Sequence, residues 1–178
     1  MARDDGRRSP AMIATAIALP VALLAAILVF AVMARQRHDA GQTFLENVAA
    51  PSASEPACAS LLQVMPAKLG GFTRDGGTRT AGYARWQSDQ DGTVELRCGV
   101  DRPAQLTRTS SLQVVDQTQW LQVLPTEKSQ VGLGAYWVAV DHRPYVMMWI
   151  PDNAGTAPIQ AASDSINQKL APASLDFG

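Results

Sequence analysis

The longest apolar feature of the chain is its N-terminal run, AMIATAIALPVALLAAILVFAVMA, which carries no charged residue from Ala11 to Ala34. A helix of that length, rising about 1.5 Å per residue, reaches about 36 Å and covers a hydrocarbon core of about 30 Å. Pro20 is tolerated in such a segment because neighbouring groups can satisfy the freed backbone. The run exceeds the about 7–15 residues of a signal-peptide h-region, which favours an uncleaved anchor over a cleaved leader ending near Ala34.

Beyond it the periodicity changes. Residues 35–56 read as a stalk, with Phe44, Leu45 and Val48 on one face of an extended helix and the Pro- and Ser-rich segment Ala49–Pro56 as linker. Helical spacing returns over Ala57–Met65, ended by Pro66 and Gly70-Gly71, and again over Ile159–Leu170. Gly71–Gly82 reads as loop, and Tyr83–Trp86 as a short strand. In Thr93–Cys98, Val94, Leu96 and Cys98 alternate with Glu95 and Arg97, which predicts a half-buried strand with the charged pair in water. Leu112–Val115 and Trp120–Leu124 are two more strands around a polar Asp116–Gln119 turn.

Ala135–Ile150 predicts a hairpin turning at Asp141–Pro144. With His142-Arg143 at its centre, Val138 opposes Met147 and Tyr136 opposes Trp149 on one face. Trp137 opposes Met148 on the other. Both faces are apolar, whereas a half-exposed strand alternates with polar residues. Helices can cover one face. The other is covered either by loops or by a partner, and Trp137, Met148 and Trp149 are the residues such a partner surface would use. The whole predicts an α+β fold: a transmembrane helix, then a small antiparallel sheet flanked by two helices. The divisions are a cytoplasmic N-terminus over 1–10, a bilayer-spanning helix over 11–34, a stalk over 35–56 and an extracytoplasmic domain over 57–178.

Composition fits this division. Charged residues make up only 17% of the chain, below the about 25% of soluble domains. With 15 Lys+Arg against 16 Asp+Glu, no basic surface for nucleic acid is expected. Arg3, Arg7 and Arg8 precede the apolar run and Arg35 and Arg37 follow it, a weak bias toward a cytoplasmic N-terminus. Both cysteines, Cys58 and Cys98, follow the run. An even pair in an exported chain reads as a disulfide, two buried thiols being the alternative. His38 and His142 do not complete a ligand-spaced zinc cluster with them, so no metal or other cofactor is expected.

Catalytic motifs are missing from the sequence. It has no Gly-x-Ser-x-Gly elbow, phosphate-cradling loop or His-Glu-x-x-His pair, and Gly132-Leu-Gly134 is too short to count. His142 is expected in a solvated turn, and Asp89, Asp91 and Asp101 in solvated loops. Arg97 and Arg102 form the strongest candidate anion site, since clustered guanidiniums hold phosphate or carboxylate. The plainer reading pairs Arg97 with Glu95 across the strand.

Three blocks carry a resemblance: Cys58–Pro66, Val94–Pro103 with its Leu-Arg-Cys-Gly-Val core, and Arg143–Pro151, with Trp120 between the last two. Together with the N-terminal anchor they make the chain resemble an actinobacterial family of membrane-anchored exported proteins of unknown function. The resemblance implies the same location and fold and brings no catalytic residue. The function expected is a binding or assembly module, or an accessory subunit of a cell-envelope or respiratory membrane complex, with a membrane or envelope protein as partner. The alternative is an envelope enzyme or wall-precursor binder using Arg97 and Arg102.

Overall fold

A computed structural model of the 178-residue chain describes residues 23–30, 43–77, 80–127, 130 and 132–178. The chain divides into two compact units, Met1–Gln42 and Thr43–Gly178. In the first, residues 23–30 form a helix (α1) whose Leu23, Leu24, Ile27, Leu28 and Phe30 side chains are exposed. Among the described residues no helix is long and apolar enough to cross a membrane. Most of the anchor expected over residues 11–34 lies outside the described residues, as do all of the cytoplasmic stretch over 1–10 and the first part of the stalk.

The second unit is α+β, with helices α2 (Pro56–Val64) and α3 (Ala157–Lys169) on an antiparallel sheet. Its strands are β1 (Lys68–Leu69), β2 (Phe72–Arg74), β3 (Tyr83–Ser88), β4 (Gly92–Val100), β5 (Leu112–Val115), β6 (Thr118–Val123), β7 (Gly134–Ala139) and β9 (Tyr145–Pro151). They lie in the order β1-β2-β3-β4-β9-β7-β6-β5, while β8 (His142–Arg143) and β10 (Ala171–Pro172) pair separately. Pro56 and Pro158 sit in the first turns of their helices, where a missing N–H costs nothing and φ is already helical. Cys58 and Leu61 of α2, and Ile159, Ala162 and Ile166 of α3, face the sheet.

The hairpin register agrees with the sequence expectation. Tyr136 pairs with Trp149, Trp137 with Met148 and Val138 with Met147. One face, carrying Trp86, Leu96, Cys98, Trp120 and Met148, packs beneath the helices. The turn differs, because His142-Arg143 leave the main sheet and pair with Ala171–Pro172. The β5–β6 connection is tighter than expected. Asp116 and Gln117 turn with φ of 45° and 71°, and pairing resumes at Thr118. The Gly71–Gly82 loop contains one further strand, β2.

Two expectations are corrected by the second sheet face. The folded unit begins at Thr43, not near Cys58: Leu45 is fully buried, and Phe44, Leu45 and Val48 pack on Tyr83, Trp149 and Met147 instead of prolonging a helix. We call residues 43–55 the strap. The C-terminal tail, through Leu175 and Phe177, covers the rest of that face around Val100, Val138 and Tyr145. Strand β4 is therefore buried on both faces, and Glu95 and Arg97 are interior residues with relative exposures of 0% and 9%. The apolar area on the second face is large enough that covering it outweighs leaving it to water.

Cys58 and Cys98 form a disulfide, fully buried, with Cα atoms 5.6 Å apart. It ties α2 to β4 across a sequence separation of 40 residues. Replacing both by Ser is expected to cost about 2–5 kcal/mol of stability. Chemical denaturation measures it, and thiol labelling of unreduced, unfolded protein is expected to find no free thiol. Trp149, stacked on Phe44 at 4.0 Å and 1% exposed, is expected to cost about 3–5 kcal/mol on truncation to Ala. The half-buried Trp137, truncated in the same way, should shift the denaturation midpoint much less.

Candidate binding site

The charged residues that the sequence offered as a polar face hold the strap. Glu95 Oε2 accepts the backbone N–H groups of Phe44 at 2.9 Å and Leu45 at 2.7 Å. Arg97 Nε donates to the Val48 carbonyl at 3.2 Å, and its Nη1 donates to the Ala81 carbonyl at 2.8 Å. Burial lowers the Arg97 pKa, partly offset by the Glu46 carboxylate. Neither residue pairs with the other. Further along, the Ser52 N–H donates to the Gly99 carbonyl. Gly99 has φ +88° at a bulge in β4, and a side chain there would collide with the Ser52 and Ala53 backbone.

Glu95 and Tyr83 are both perturbed by burial. Burial raises the Glu95 carboxyl pKa, opposed by the Leu45 and Phe44 N–H groups and the Arg85 charge. Glu95 Oε1 and the Tyr83 hydroxyl are both closed off from solvent and without a hydrogen-bond partner. The Tyr83 pKa is raised by burial and then by Glu95.

Other expected site residues are placed as follows. Met148 is fully buried under the helices, and Trp149 lies between Phe44 and Tyr136. Of the three residues offered as a partner surface, Trp137 alone keeps partial exposure. Arg97 and Arg102 are not brought to one anion site, since Arg97 is committed to the strap while Arg102 Nη1 donates to the Leu106 carbonyl at 3.2 Å. His142 is buried, not a solvated turn residue: its Nδ1 lies 2.9 Å from Asp141 Oδ1, and Asp141 Oδ2 accepts the Gln119 N–H. Among the described residues no three His, Cys, Asp or Glu side chains converge as metal ligands.

Concavities lined by described residues indent the surface of this unit, and two bear on function. One, of about 580 Å³, lies beside Leu62, Arg74, Asp75 and Tyr83, and its charges are already engaged. Arg74 donates to the Leu62 and Met65 carbonyls, and Asp75 pairs with Arg85 at 2.5 Å, which lowers the Asp75 pKa. The other, of about 420 Å³, is walled by Glu55 and Ala57 at the start of α2, Asp101 and Arg102 after β4, and Arg143 and Tyr145 at β8–β9. Arg143 is pinned in place: Nη1 donates to the Val140 and His142 carbonyls, Nη2 donates to the Ser174 carbonyl, and the group lies 3.8 Å over the Tyr145 ring.

All of these residues fall inside one family match. The chain matches, over residues 17–175, the family described as "Protein of unknown function (DUF3515)". It belongs to that family. No curated protein and no solved structure matches the chain. The DUF3515 match spans the strap, the disulfide and every wall of the smaller concavity, so the fold and its cleft belong to the family region. Arg143, Tyr145 and Glu55 were invisible as a site in the sequence, because they lie far apart in the chain and no spacing rule joins them.

The raised Glu95 pKa carries a pH signature. A group whose folded pKa is raised adds stability that is fully present below its unfolded pKa, about 4.3, and that is lost as pH rises through the folded value. Stability should therefore fall over that interval. Gln at this position keeps an oxygen for the Phe44 and Leu45 N–H groups and offers an amide donor to the Tyr83 hydroxyl. Glu95→Gln is expected to flatten this part of the pH profile, read from urea midpoints, and Glu95→Ala to destabilise at every pH by about 1–3 kcal/mol.

Proposed function

We propose that this DUF3515 protein is a binding or assembly module anchored in a membrane by residues 11–34, with its folded unit outside the cytoplasm. The observation that carries the reading is the buried Cys58–Cys98 disulfide in a chain led by an uncharged apolar run. Buried disulfides persist in oxidising compartments, and such a run is long enough to span a bilayer. The resemblance to membrane-anchored exported proteins of actinobacteria supports the same location.

Because the folded unit starts at Thr43, the tether is residues 35–42, which span at most about 30 Å when extended. A module on so short a leash acts near the membrane surface, as an accessory subunit of an envelope or respiratory complex would. Binding is favoured over chemistry by how the interior charges are used. Glu95 and Arg97 are engaged with the chain's own backbone, while Arg102 and Arg143 line an open cleft without a carboxylate at salt-bridge distance among the described residues.

A reporter active only outside the cytoplasm, fused after Gly178, is expected to be active, and one fused before Met1 inactive. N-terminal sequencing of the membrane-extracted protein is expected to begin near Met1. The reverse reporter pattern would overturn the orientation, and a start near Arg35 would replace the anchor with a cleaved leader.

A further inference from the structure

The cleft at the start of α2 carries both signs of charge, and its two arginines are held in place. Arg102 and Arg143 are each held by backbone carbonyls, and neither makes an ion pair among the described residues. Arg143 keeps its Nε without a bond to the protein, and Arg102 keeps its Nε, while its Nη2 makes no hydrogen bond but lies beside Gly178. Guanidiniums held this way are ordered before a ligand arrives, which reduces the entropy lost on binding. The N-terminus of α2 opens beside them. Pro56 has no N–H to give, no side chain caps this end, and Ala57 lines the cleft.

A further polar group is buried beneath Arg143. The Tyr145 hydroxyl, on a residue 8% exposed, has no hydrogen-bond partner; burial raises its pKa, and the charges of Arg143, Asp176 and Arg102 act on it. Glu55 and Asp101, both exposed, line the same cleft. Two guanidiniums against two carboxylates leave the walls with no net charge, so a bare polyanion gains little from the field of the cleft. A ligand that carries both signs meets complementary partners at each end. The volume, about 420 Å³, lies in the range of small-ligand pockets, about 300–1,000 Å³.

The geometry points to a zwitterion site for a free amino acid or short peptide, its carboxylate on Arg102 and Arg143 and its ammonium toward Glu55 and Asp101. The inference rests on reading the folded unit as a binding module, but its test is independent of topology.

Ligand-observed NMR on the full chain in mild detergent, titrated with diglycine, reads the site directly. Saturable binding is expected, weakened about tenfold or more for N-acetyldiglycine, which lacks the ammonium, and for diglycine amide, which lacks the carboxylate. Arg102→Gln, which gives up one carbonyl contact, should weaken diglycine about tenfold while keeping the thermal midpoint. Glu55→Gln, at an exposed position, should narrow the gap between diglycine and its N-acetyl form. Absence of saturable diglycine binding overturns the proposal. So does equal binding of the two capped forms and diglycine, or tighter binding of inorganic phosphate, which would mark a simple anion site. Failure of the topology reporters with diglycine binding intact would reject the anchored orientation and leave this site standing.

Discussion

Everything on the second face of the sheet depends on two buried charges holding a piece of backbone. Glu95 and Arg97 point from β4 into a layer that would otherwise be apolar, and neither can remain there without hydrogen bonds. The strap supplies them: two N–H groups to the carboxylate, one carbonyl to the guanidinium. The same contacts settle the strap's own polar groups, which would be unsatisfied when pressed against Trp149 and Met147. Charge and backbone solve each other's problem, and the apolar side chains Phe44, Leu45 and Val48 add the burial that offsets the entropy of ordering the segment.

That constraint also places the candidate site. The strap is laid along the sheet as far as Gly99, where the bulge in β4 and the lack of a side chain let Ser52 and Ala53 approach the backbone. From there the chain enters α2, and the disulfide between Cys58 and Cys98 holds the first turn of that helix over the sheet. The cleft lies where this entry meets the end of β4 and the β8–β9 segment. Its arginines are oriented by carbonyls of the Pro103–Leu106 turn and of the C-terminal tail. A site built this way is rigid on each side for a different reason, and preorganised donors suit recognition of a small charged ligand.

Much of the fold was legible along the chain. The hairpin register followed from pairing about Asp141–Pro144, because a one-residue slip would have exchanged its two faces. Both helices appeared within a residue or two of their positions, since apolar spacing and Pro and Gly stops are local signals. The cysteine pair was legible for a chemical reason, an even number following an apolar run of bilayer length. The domain boundary was not. Pro51, Ser52 and Pro56 have the composition of a linker, and only contact with a sheet some fifty residues away makes the segment that leads into them part of the folded unit.

What the sequence determined by itself is therefore what periodicity and redox chemistry encode locally: an apolar run of bilayer length, two helices, a two-sided hairpin and a disulfide. What the tertiary structure alone decided is which elements cover the sheet and where the charges go. Alternation marks Glu95 and Arg97 as a face distinct from Val94, Leu96 and Cys98, but it cannot say whether water or backbone lies beyond that face. The partners of Glu95, Arg97, Arg102 and Arg143 are mostly main-chain groups, and every residue carries those alike. A side chain's identity can announce a need for hydrogen bonds; only the path of the folded chain decides which carbonyl or N–H will meet it.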